Sequence, residues 1–126
     1  MGKKITLAVL LLLVIGGAVV QNIYVRSTTQ RLITSLKSVQ AALDNSDITA
    51  AAAAADEFGA EWEKDKKMFE ALFEHGEVDS ISSSVKRLKS YCRTGSSEEA
   101  LACVSETIFY IQHIKEIDTL GWENIF

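Results

Sequence analysis

The sequence contains no proline, and only two cysteines and seven glycines among its 126 residues. The chain therefore lacks the residue that breaks helices most strongly, because proline has no backbone N–H. The abundance of Ala, Leu, Glu and Lys favours helix throughout. Two cysteines are too few for a disulfide scaffold, and they lack the paired spacing of a zinc site. The length allows one domain of ordinary size, and a hydrophobic fraction of 48% excludes a disordered chain.

Charged residues are missing from a long apolar run, Ile5 to Val20, which follows Lys3 and Lys4. As a helix, this run is about 24 Å long, and about 32 Å if it extends to Val25. These lengths bracket the hydrocarbon core of a bilayer, which is about 30 Å thick. We predict that residues 5–20 cross the lipid bilayer once.

The same run is compatible with a cleaved signal peptide, because Gly16 and Ala18 have the spacing of a cleavage site. Cleavage would release a secreted protein. We favour a retained anchor, since the apolar pattern resumes after Gln21 and Asn22. Lys3 and Lys4 predict a cytoplasmic N-terminus. We thus predict a single-pass protein of the cell membrane. Residues 1–22 are predicted to be its transmembrane signal-anchor, and residues 23–126 its extracytoplasmic domain.

The predicted exported part carries all 17 acidic residues and all basic residues except Lys3 and Lys4, for a net charge of −6. A basic face is required to bind nucleic acid, so we predict no nucleic-acid partner. The chain has no phosphate-binding loop and no recognisable nucleophile motif. We therefore predict a protein that is not an enzyme and has no cofactor.

Hydrophobic residues in the exported part recur at intervals of three and four, as on one face of a helix. Turn-forming or capping residues separate four such segments, and Ser46 or Asp47 is suited to cap the second. Short connections make consecutive helices antiparallel. The fold is predicted to be all-α, an up-down four-helix bundle after the transmembrane helix, with helices at about residues 23–43, 48–75, 79–93 and 96–120.

The two cysteines, Cys92 and Cys103, flank the turn between the third and fourth predicted helices. Thiols outside the cytoplasm tend to oxidise, and a disulfide needs Cα atoms within about 7 Å. Two buried free thiols are the alternative, because Cys92 also belongs to an apolar stripe. We predict the bridge.

The only histidines, His75 and His113, are predicted to lie level with each other at one end of the bundle. With Glu116, they are candidates to bind a metal or to sense pH. A plainer role is favoured, in which His75 caps the C-terminus of the second helix and interacts with its dipole. No metal site is therefore predicted.

Aromatic and apolar residues offer candidate contacts for a partner. Trp62 lies on an aromatic stripe that fits the core better than a ligand pocket, but it is retained as a candidate. The others are Trp122, Ile125 and Phe126, at the C-terminal end, which is predicted to lie where the chain leaves the membrane.

A set of sparse positions on the predicted helices forms a pattern along nearly the whole chain. They are Trp62, Phe69, Phe73-Glu74-His75, Asp79-x-Ile81, Ile111-x-His113-Ile114 and Asn124-Ile125. This pattern resembles the bacterial domain-of-unknown-function family 4363, which comprises short proteins with one N-terminal anchor. The resemblance implies no activity, substrate or cofactor. It implies an integral-membrane partner, and it gives both histidines added functional weight. The cysteines are not part of it.

These observations favour a membrane-anchored helical interaction module that binds a partner near the membrane surface. The alternative is a small bundle that senses a ligand, a metal or pH through His75 and His113.

Overall fold

The structure of the chain is a computed structural model. Its first helix contains both the apolar run and the first predicted bundle helix. The structure describes residues 1–125, with the side chains of all of these except Leu120 and residues 122–125. Helix α1 (Gly2–Asp44) has 43 residues and is therefore about 64 Å long. It is uninterrupted because the sequence between Val20 and Leu32 contains no glycine or proline.

The surroundings of α1 change along its length. Nearly all side chains from Ile5 to Val20 are exposed, and an 18-residue window of α1 has a mean hydropathy of 2.2 with none of its residues buried. It is the one helix of the described chain that is long and apolar enough to cross a membrane. From Val25 onwards, one face is buried at intervals of three and four, comprising Val25, Thr28, Thr29, Leu32, Ile33, Leu36, Val39 and Leu43.

Three further helices follow, with connections of only two or three residues. They are α2 (Ile48–Leu72), α3 (His75–Thr94) and α4 (Ser97–Ile125). Asp47 caps α2, as predicted, because its Oδ1 accepts a hydrogen bond from the backbone N–H of Ala50 at 3.0 Å. Gly95 ends α3 in the left-handed region, with φ of +74°, a conformation that costs glycine little.

The boundary between α2 and α3 differs from the predicted one. Helix α2 ends at Leu72 and α3 begins at His75, so both His75 and Gly76 lie inside α3. Phe73 is extended, and its ring stacks on that of Phe69 with centroids 5.7 Å apart. Packing of Phe73 on the core thus ends α2 early, and Glu77 in the first turn of α3 interacts favourably with the helix dipole.

Each helix packs against the next, and α4 packs back against α1. The predicted all-α, up-down four-helix bundle following a long apolar N-terminal helix is therefore confirmed. Its largest fully buried side chains come from all four helices. They are Trp62, Phe58, Phe69, Leu32, Leu36, Ile81, Leu88, Ile111, Ile114, Val25, Val39 and Val78.

Candidate functional site

Three parts of the chain meet where α1 leaves its apolar stretch, at what we call the basal end of the bundle. Because the helices alternate in direction, the α2–α3 turn and the last turns of α4 lie beside this part of α1. Tyr24 of α1 packs near Phe69 of α2, with ring centroids 6.5 Å apart. On α4, Asp118 lies level with Gln21 and Asn22. The basal end therefore includes the boundary between the exposed apolar stretch and the bundle.

Two adjoining recesses, of about 250 and 340 Å³, open at this end and form what we call the basal cleft. Leu72, Phe73 and Ile117 line both recesses and make their shared wall apolar. The remaining lining residues are Ala18, Gln21, Asp118 and Gly121 in the first recess, and Glu74 and Glu77 in the second. The cleft thus combines an apolar wall with acidic side chains.

Asp118 connects α1 to the end of the bundle. Gln21 Nε2 donates a hydrogen bond to its Oδ1, and Asn22 Nδ2 donates one to its Oδ2, each at 3.1 Å. These two amides are the residues that interrupt the apolar run in the sequence. Their partner was not predicted, although an aspartate beside the apolar stripe of Ile114 and Ile117 is a signal that could have identified it.

His113 lies at the edge of the basal cleft. Its Nε2 is 3.6 Å from Oε1 of Glu77, and its ring stacks on Phe109, with centroids 6.2 Å apart and planes 6° from parallel. Phe109 is itself 63% exposed. His113 was thus correctly predicted to lie level with the α2–α3 turn.

The other predicted ligands do not join His113 in a metal-binding group. Within the described chain, no three His, Cys, Asp or Glu side chains are arranged to hold a metal ion. His75 and Glu116 are both exposed. His75 is also the first residue of α3 rather than the C-terminal cap of α2, so the favourable dipole interaction predicted for it is absent. An imidazolium there would face the positive end of a helix.

The structure does not contain the predicted disulfide. Cys92 and Cys103 are both free and buried. The Cys103 thiol donates to the carbonyl oxygen of Ser84 at 3.2 Å, and the Ser84 hydroxyl also contacts that of Thr107. Because Ser84 contacts Cys103 and Thr107 across antiparallel helices, Cys92 lies level with residues 95–99, which is four to eight residues, or about 6–12 Å, from Cys103 along the helix axes. Combined with the lateral separation of two packed helices, that offset keeps the two Cα atoms beyond the reach of a disulfide.

Trp62 is a core residue, which corrects its prediction as a partner contact. It is 1% exposed, its indole Nε1 donates to Ser82 Oγ at 3.0 Å, and its ring lies 5.5 Å from that of Phe69. The side chains of Trp122 and Ile125 lie outside the described part of the chain, as does the whole of Phe126.

The chain matches over residues 19–125 a family described as a domain of unknown function, DUF4363. This match covers the whole bundle and most of the chain. The chain belongs to this family. Membership agrees with the resemblance noted in the sequence, and DUF4363 is defined without a known role. No curated protein and no solved structure matches the chain.

Proposed function

We propose that this chain is a single-pass membrane protein whose bundle lies outside the cytoplasm and binds an integral membrane protein through the basal cleft. In this role it acts as an interaction or accessory module and not as an enzyme. The observation that carries the proposal is the continuity of α1. One helix includes both the exposed apolar stretch and the first buried face of the bundle, so the basal cleft is held at a fixed height above the apolar stretch.

The exposed side chains of α1 support insertion into lipid. Ile5, Leu7, Leu12 and Leu13 are each at least 64% exposed, and such a surface is unfavourable in water at roughly 25 cal/mol per Å². A bilayer removes that cost. The cations of Lys3 and Lys4 favour a cytoplasmic N-terminus, which leaves the bundle on the opposite side.

Retention of the helix is favoured over secretion after cleavage. A cut after Ala18 would place Gln21 and Asn22 in the first turn of a new helix, where backbone groups lack partners and helices fray. The two hydrogen bonds to Asp118 would then connect the bundle to an unstable end. With α1 intact, those bonds lie in the middle of a continuous helix.

The basal cleft indicates the chemistry of its partner. Ala18 belongs to the apolar stretch, whereas Glu74 and Glu77 lie beyond it. A complementary surface is therefore the end of a transmembrane helix that carries apolar residues within the membrane and a lysine or arginine just outside it. Charge complementarity of this kind favours one partner and one orientation.

Photocrosslinking in intact cells tests this proposal. A photoreactive amino acid at Ile117 should crosslink to an integral membrane protein, whereas the same group at Ala53, which is exposed on α2 far from the basal end, should not. Leu72→Glu should abolish the crosslink because it places a charge in the apolar wall. Ala71→Glu, at the exposed neighbouring position, is the matched control. Equal products from positions 117 and 53 would contradict the proposal.

A pH-dependent variant of this function is favoured by the contact between His113 and Glu77. Protonation of His113 would convert the 3.6 Å contact into an ion pair at the edge of the cleft. The yield of the crosslink from Ile117 should then depend on pH, and His113→Gln should remove that dependence. A yield that depends on pH equally in both proteins would exclude His113 as the sensor.

A further inference from the structure

A separate recess lies beside the basal cleft, on another face of α1. It has a volume of about 450 Å³ and lies between α1 and α4. Its lining is polar and basic except for Ile23, unlike the apolar and acidic basal cleft. The lining residues are Asn22, Ile23, Arg26, Ser27, Gln30 and Lys115.

Two cations, Arg26 and Lys115, share this recess. Within the described residues, neither Arg26 nor Lys115 has an acidic oxygen within 4.0 Å. Some other cations of this acidic bundle are paired: Arg31 lies 2.7 Å from Asp65, and Arg87 lies 2.9 Å from Glu106. Asp118, whose carboxylate accepts hydrogen bonds from the amides of Gln21 and Asn22, does not line the recess. The recess therefore has a local positive charge in a domain that is negative overall.

The height of the recess matches that of lipid phosphates. Arg26 lies six residues after Val20, which corresponds to about 9 Å along a helix. Measured from Val25, the other predicted end of the apolar run, the same distance is about 1.5 Å, so the two values bracket a headgroup region that extends about 5–8 Å beyond the hydrocarbon core. Ile23, one turn before Arg26, is 62% exposed and faces the same recess. A phospholipid bound here would contact Ile23 with its apolar part and Arg26 with its phosphate, which is the order in which these groups lie along a membrane lipid.

From this arrangement we infer that the α1–α4 recess binds the phosphate of an anionic phospholipid. The inference rests on the proposed insertion of α1 in the membrane. Arg26 is suited to bind two phosphate oxygens at once through its guanidinium group, and Lys115 adds a second positive charge from α4. The Ser27 hydroxyl and the Gln30 amide are exposed donors on the same face. A bound lipid would thus join α1 to α4 at the membrane surface.

Native mass spectrometry of the detergent-solubilised full chain, titrated with phosphatidylglycerol, tests this inference. A polybasic contact at a membrane surface contributes a factor of about five in affinity per cation. The double variant Arg26→Gln/Lys115→Gln should therefore bind phosphatidylglycerol about 25-fold more weakly. Lys37→Gln/Lys86→Gln, which removes two exposed charges far from the recess, should bind like the wild type. Equal affinity in all three proteins would overturn the inference.

Two further measurements distinguish the sources of a failure. Glycerol 3-phosphate in solution should compete only at far higher concentration than the lipid, because it lacks the apolar contact with Ile23; equally strong competition would indicate a soluble phosphate ligand instead of a lipid. Alkaline carbonate extraction tests the insertion of α1 by itself. If the chain resists extraction but the double variant binds lipid as tightly as the wild type, only this inference is contradicted. If the chain is extracted, the proposed function is contradicted.

Discussion

Asn22 donates a hydrogen bond to Asp118 at 3.1 Å, so that a side chain at the end of the apolar stretch of α1 is joined to the end of the last helix. Gln21 binds the second carboxylate oxygen at the same distance. Hydrogen bonds to a charged group contribute about 1.5–3 kcal/mol each when they are shielded from water, and this pair is partly buried. The rotation of α1 about its axis is therefore coupled to the position of α4.

Asp118→Ala should lower the free energy of unfolding by about 1–3 kcal/mol, because it removes both hydrogen bonds and leaves two amides unsatisfied. Thermal unfolding of the detergent-solubilised full chain, followed by circular dichroism, measures the effect. Glu116→Ala, at an exposed position two residues earlier, should change stability by less than about 0.5 kcal/mol. Equal melting temperatures for the two variants would show that the contact does not stabilise the bundle.

The helical pattern of the fold was predictable because it is repeated many times. The same buried face of α1 is indicated independently by four residues, Leu32, Leu36, Val39 and Leu43. If one of them were misinterpreted, the other three would still predict the same face. The level of His113 was predictable for a related reason, since short connections fix the register of antiparallel helices to within a few residues.

The end of α2 was not predictable from local signals. A glycine after a histidine is typical of a helix C-terminus, yet Gly76 lies inside α3. The deciding contact is tertiary, because Phe73 packs against the buried core of the bundle. The partner of Gln21 and Asn22 was missed for the same reason, because Asp118 is nearly a hundred residues away in sequence and only the closed bundle joins them.

Gly95 and Gly76 should respond in opposite ways to alanine. Gly95 has φ of +74°, and an added Cβ would have no heavy atom within 4 Å. Gly95→Ala should therefore lower the free energy of unfolding by about 1 kcal/mol, through the backbone conformation alone. Gly76 is helical and equally unobstructed, so Gly76→Ala should stabilise the protein by about 0.5–1 kcal/mol. Urea unfolding of both variants provides the comparison. Destabilisation by Gly76→Ala would place the α2–α3 boundary elsewhere.

The two thiols should be free and protected in the folded protein. Because Cys92 and Cys103 are buried and unbridged, a maleimide reagent should modify neither at neutral pH in mild detergent. Unfolding in dodecyl sulfate without a reducing agent should then give two labels per chain, counted by mass. Labelling that requires prior reduction would demonstrate the disulfide predicted from the sequence.

Cys92 should also make stability depend on pH in the alkaline range. Burial raises the pKa of its thiol above the ordinary value of 9.0, and Cys103 and Asp56 raise it further. The folded protein thus favours the neutral thiol, so the unfolded state loses its proton first. The free energy of unfolding should be unaffected by this group below pH 9 and should decrease as the pH rises above it. Cys92→Ala, measured from pH 7 to 10, should show a shallower decrease than the wild type; parallel curves would contradict the assignment.

Ser84 and Thr107 should be energetically coupled across the interface between α3 and α4. Both side chains are fully buried, and their hydroxyl groups are hydrogen-bonded to each other. Ser84→Ala should cost about 1–2 kcal/mol, because it removes one partner of a buried pair. Ser83→Ala, at the exposed adjacent position, should cost less than about 0.5 kcal/mol.

The double variant Ser84→Ala/Thr107→Val isolates the coupling. Valine has nearly the shape of threonine, and replacing both partners of a buried hydrogen bond by apolar groups is close to neutral. The double variant should therefore be more stable than the sum of the two single changes predicts, by about 0.5–2 kcal/mol in urea unfolding. Additive costs would mean that each hydroxyl is satisfied independently, Thr107 by the carbonyl oxygen of Cys103 at 2.7 Å, and that the contact with Ser84 contributes nothing to the pairing of α3 with α4.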